Sequence, residues 1–152
     1  MSTPNATSAD AQIILQLYDF RRESEMRKAR NFVFNFWPET AQDIISIFMN
    51  FGSQENAWLR QVGTYWEMAA SLVNRGTLSP DLFFDSNGEM FFVYAKFQPF
   101  LKELRDAFQE PAMFSNVDKL TQSTPEARER MQRMLTRQAE WRSKMKKSTA
   151  AA

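Results

Sequence analysis

Acidic side chains recur at two places where their spacing could support metal ligation or proton transfer. Asp81, Asp85 and Glu89 bracket Ser86-Asn87-Gly88, which has the centre of a calcium loop. Setting Gly88 on that loop's invariant glycine puts Asp85 and Asn87 at ligand positions. It also puts Phe83 first and Tyr94 last, where carboxylates are required. A helix cap followed by a turn accounts for these residues better. Glu103, Asp106 and Glu110 share a helix face at i, i+3 and i+7, but a di-iron bundle needs Glu-x-x-His pairs and Lys102 and Arg105 interleave. That face reads as solvated. Among the cations, Arg21, Arg22, Arg27, Lys28 and Arg30 flank Glu23 and Glu25 and could bind an oxyanion, since guanidinium forks suit bidentate acceptors. Arg30 borders the apolar stripe of Met26 and Val33 and is expected to pair with Glu67.

The chain has neither histidine nor cysteine. Imidazole bases, thiolate nucleophiles, zinc fingers, iron–sulfur ligation and disulfides are therefore excluded. No pair of carboxylates, tyrosines or lysines stands out as catalytic, so a non-enzymatic protein with no cofactor and no metal is expected.

Charge is distributed unevenly. From Glu126 to Lys147 there are eight Arg/Lys against three Asp/Glu, a net of +5; the rest of the chain holds eleven against fifteen, a net of −4. Within that basic segment Met131, Met134, Leu135, Gln138, Trp141 and Met145 follow helical spacing. Such a stripe can pack on its own chain, on a second copy, in a partner's groove or on an anionic membrane surface. Self-association, or a protein partner through this helix, is the leading expectation.

The elements that must position these groups are helical. At 152 residues, with 4 Gly and 14 Phe, the composition fits one all-α domain. The pattern predicts helices over 10–22, 25–35 with Ser24 as N-cap, 41–51, and a long one from about 53 to 75. It then predicts a short helix after Ser79-Pro80-Asp81, a helix over 89–108 kinked by Pro99, and a last helix from Thr124-Pro125-Glu126. Val117 and Leu120 suggest a further helical turn. This is an irregular bundle of five to six main helices with short connectors. Residues 1–9 and 148–152 are expected to be disordered, 10–147 to form the domain, and 126–147 to be semi-detached. Gly63, inside the long helix, is expected to mark close approach by another helix. No signal peptide or transmembrane run is read, which favours the cytoplasm.

The turn Phe51-Gly52-Ser53-Gln54 could belong to a helix-turn-helix, but Glu55 opposes phosphate and the net charge is only +1, so no nucleic-acid partner is expected. Trp37, Trp58, Tyr65, Trp66, Phe91, Phe92 and Tyr94 read first as core. They also permit an alternative function, a small-molecule sensor or carrier with an aromatic pocket between the kinked helix and the long one. Arg30 or Tyr65 would anchor the ligand there, with Trp66, Glu67 and Tyr94 nearby.

Two stretches, LQLYDFRRESEMRKARN at 15–31 and WLRQVGTYWEMAASLVNRGTLSPD at 58–81, resemble a family of small bacterial helical domains of unknown function. The resemblance implies a bacterial all-helical domain over roughly Leu15 to Leu120, in a family whose members often carry an N-terminal membrane anchor not read in this sequence. It implies no reaction.

Overall fold

The computed structural model describes residues 5–152. The first helix, α1 (Ser8–Arg22), begins at a capping box: the Thr7 side chain accepts the Asp10 amide and Asp10 accepts the Thr7 amide. Of residues 1–9, expected to be disordered, 1–4 lie outside the described residues, whereas Thr7 caps α1 and Ser8 and Ala9 belong to it. Helix α2 (Ser24–Asn35) is capped by Glu23 rather than Ser24, because the Glu23 carboxylate accepts the amides of both Glu25 and Met26. Then come α3 (Ala41–Met49) and the long α4 (Gln54–Asn74).

Helix α4 is the central column, packed against α2, α3 and the later helix at Ser115–Thr121. Its inner stripe, Leu59, Val62, Trp66, Ala69, Ala70 and Val73, is buried as its spacing predicts. Gly76 terminates it at φ 75°, with the Thr77 amide reaching back to the Leu72 carbonyl and the Gly76 amide to that of Val73. These are the two bonds of a Schellman turn. Gly76→Ala is expected to lower stability by about 1 kcal/mol through the positive φ alone, readable as a shift in the urea midpoint with an unchanged slope.

The second half is more broken than expected. After α5 (Pro80–Ser86), the single kinked helix resolves into α6 (Glu89–Phe97), a 3-10 turn at Gln98–Phe100, and α7 (Leu101–Phe108). Proline at position 99 lacks the amide that a continuous helix would use, and the tighter turn absorbs the change in direction. Helix α8 (Ser115–Thr121) packs on α4. At Gly63 an added Cβ would meet the Phe114 ring at 3.4 Å. The close neighbour is therefore one aromatic side chain, not another helix backbone.

Helix α9 (Pro125–Ala151) runs past the expected end at Lys147, so the tail is helical through Ala151. It packs against α6 and α8 and is not semi-detached over its first half. Nine α-helices and no strand occur among the described residues. No helix is long and apolar enough to cross a membrane among them.

Candidate functional site

Two polar clusters are built into the interior, one at each end of α6. At its N-terminal end, Arg30 forks onto Glu89, with Nη2 to Oε2 at 2.6 Å and Nε to Oε1 at 2.8 Å, and gives Nη1 to the Arg21 carbonyl. The expected Arg30–Glu67 pair does not form. The half-buried bidentate contact holds the Arg30 guanidinium further above its ordinary pKa.

Arg21 lies beside this pair. It is buried, donates Nη1 to Asn87 Oδ1 at 2.5 Å and to the Tyr65 hydroxyl at 3.2 Å, and sits over the Tyr18 and Trp66 rings. Tyr65 in turn donates to the Leu17 carbonyl at 2.7 Å. Burial raises the Tyr65 phenol, so it stays a donor. The basic run at 21–30 is thus divided: Arg21 and Arg30 lock α1, α2, α4 and the α5–α6 turn together, while Arg27 and Lys28 face outward.

Glu67 has a different task. Its carboxylate accepts the amides of Asn116 and Val117 at 2.8 and 3.1 Å and the Asn116 side chain at 2.9 Å. It caps α8, which has no cap of its own because Phe114 occupies the N-cap position. Tyr94 donates to Asp118 at 2.8 Å and is buried against Phe114, and both its burial and this bond push its pKa upward. Trp66 is buried against Tyr65. Arg30, Tyr65, Trp66, Glu67 and Tyr94 therefore do not converge on one pocket. A cavity of about 310 Å³ does lie between α4 and the segment Glu110–Phe114, but of these five residues only Glu67 lines it.

At the other end of α6, Lys96 is wholly buried. Its ammonium gives three hydrogen bonds of 2.6–2.7 Å to the carbonyls of Val33, Phe34 and Phe36, the open C-terminal end of α2. The Trp37 ring lies 4.0 Å from Nζ and that of Phe92 4.8 Å. Cation, helix dipole and ring faces are mutually favourable. Burial, with Arg142 adding a like charge, nevertheless pushes the Lys96 pKa down to about 7. The sequence reading passed over this residue. The available signal was the run Met90–Phe100, apolar on every helical face except Lys96 and Gln98, in which a lysine has no solvated side to occupy.

The stripe on α9 divides along its length. Met131 and Gln138 are buried, and Met134 and Leu135 are partly buried against the same core. Gln138 donates to the Phe92 carbonyl at 2.7 Å, and Arg130 to that of Phe84 while lying over the Phe91 ring. Further out, Trp141 meets Trp37 and Phe92 edge-on or tilted, Arg142 donates to the Pro38 carbonyl, and Lys146 pairs with Glu39 at 3.5 Å. Trp141 and Met145 remain 38% and 39% exposed.

The architecture is that of an all-α domain whose buried charges tie helix ends together. The chain belongs to the domain-of-unknown-function family DUF4760, whose model matches residues 6–124. No curated protein and no solved structure matches it. The matched stretch covers α1 to α8 and stops at Thr124, the N-cap of α9.

Proposed function

We propose that this domain is a non-enzymatic interaction module that self-associates, with the distal half of α9 as one side of the contact. The observation that carries this reading is a complementarity within the chain. Beyond Glu140 the helix has four cations and no acid, with Trp141 and Met145 partly exposed among them. Acids and open apolar side chains lie together on the α3–α7 side. Helix α7 exposes Glu103 and Asp106, Asp106 being paired with Lys102 at 2.9 Å, and Glu110 follows just after the helix. Helix α3, packed on α7 through Phe48 and Phe108, leaves Met49 in solvent, as does Phe51, which lies in the turn beyond the helix and not at its end as expected, at 75% exposure.

Pairing α9 with α9 would bring two +5 segments together. A reciprocal pair, each α9 end against the partner's α3–α7 side, places unlike charges opposite and covers both sets of apolar side chains. Met131 and Gln138, already used inside the chain, take no part in it.

The double change Trp141→Glu with Met145→Glu is the direct test. Both side chains are partly exposed, so helix content by circular dichroism should hold. Sedimentation velocity should show the assembled species replaced by monomer. An unchanged sedimentation coefficient would remove α9 from the interface.

A further inference from the structure

We infer that the groove between α2 and the start of α6 is a binding site for a small aromatic carboxylate. This inference is independent of the α9 contact. The groove has a volume of about 510 Å³, with Arg27, Asn31 and the Arg30–Glu89 pair towards one end and Phe34, Phe92 and Val93 towards the other. On α2 the residues Arg27, Asn31 and Phe34 follow at i, i+4 and i+7, so they form one stripe roughly 10 Å long.

The chemistry of the two ends differs. Arg30 is already satisfied by Glu89 and the Arg21 carbonyl, and it neutralises that carboxylate. Arg27 is exposed and, among the described residues, has no carboxylate within ion-pair distance. It is the cation left for an incoming anion, with the exposed Asn31 side chain one turn further along. At the other end Phe34 is 58% exposed although its ring stacks on Phe92, with centroids 5.2 Å apart and planes 24° from parallel. That ring offers a free face to a second flat apolar group. A carboxylate at Arg27 and an aromatic body against Phe34 span the stripe together, and neither end alone defines the occupant. An uncharged aromatic leaves Arg27 unused, and a bare inorganic anion leaves the aromatic end empty.

The test is calorimetric titration of the full chain with indole-3-propionate and, separately, with its uncharged amide. The acid is expected to saturate one site, and the amide to bind at least tenfold more weakly. Arg27→Glu and Phe34→Ser, both at exposed positions, should each weaken the acid at least tenfold while leaving the melting temperature near its original value. No saturable binding of the acid would overturn the inference. So would equal binding of acid and amide, or wild-type affinity in both variants.

Discussion

Replacing Lys96 by Met should lower the stability of the domain by about 3 kcal/mol, because three helix-end carbonyls lose their shared donor inside the protein. Methionine matches the length of the lysine stem, so the loss comes from the hydrogen bonds and not from a cavity. Chemical denaturation at neutral pH measures it. The same residue sets a pH dependence. An amine held near pKa 7 when folded returns to about 10.4 when unfolded, so between these values the unfolded chain binds more protons. Stability therefore rises as pH climbs from about 7 towards 10 and is lowest, as far as this group is concerned, below pH 7. Above pH 10 the trend reverses. Tyr65 and Tyr94 are held protonated by burial, and their unfolded phenols ionise first. In Lys96→Met the rise between pH 7 and 10 should disappear while the fall at higher pH remains. A wild-type profile flat over that interval would show that the lysine is not held in the buried position.

Glu67→Ala is the second large effect. One carboxylate satisfies two backbone amides at the start of α8 and fixes Asn116, whose carbonyl in turn accepts from Asn74 at 2.9 Å. Removing it should cost about 2 kcal/mol and loosen α8 from α4. Amide exchange should speed up over residues 115–121 before it does in α4. Glu67→Gln keeps the shape and one acceptor oxygen but loses the charge at the helix start, and should fall between the two. Uniform destabilisation, with no local increase in exchange at α8, would contradict the capping role.

Much of the fold was legible because periodicity and punctuation agree in this sequence. Thr40 and Asp43 form a capping box at the start of α3, Ser79-Pro80 opens α5 and Gly76 stops α4, each as its residue types favour. The kinked helix was misjudged only in degree, since Pro99 announces a break but not whether the chain bends or tightens into a 3-10 turn. Helix end states were less legible. Glu23 displaced Ser24 as a cap because its longer side chain reaches two amides at once, a contest that residue preferences alone do not decide.

The polar interior was the hardest to read. Arg30 meets Glu89, 59 residues away, and not Glu67, because α6 rather than α4 presents its acid to that face of α2. Glu67 was expected to pair with Arg30, and it accepts the first amides of α8 instead. Lys96 was missed because a single charge is ordinarily solvated, and only the apolar residues on all sides of it argue otherwise. The α9 stripe divides along its length: spacing identifies the apolar side, but not that Met131 and Gln138 are buried while Trp141 and Met145 keep more than a third of their surface in solvent.

In the proposed assembly two copies of this chain join through unlike charges, one copy's α9 end against the other's α3–α7 side. The most direct measurement is the solution mass of the 152-residue chain at about 0.05 M and about 0.5 M salt, since contacts between exposed charges weaken as the screening length shortens. A dimer held in this way has twice the 17.8 kDa chain mass at low salt and shifts towards monomer at high salt. A monomer at both concentrations, or an assembly indifferent to salt, would contradict it.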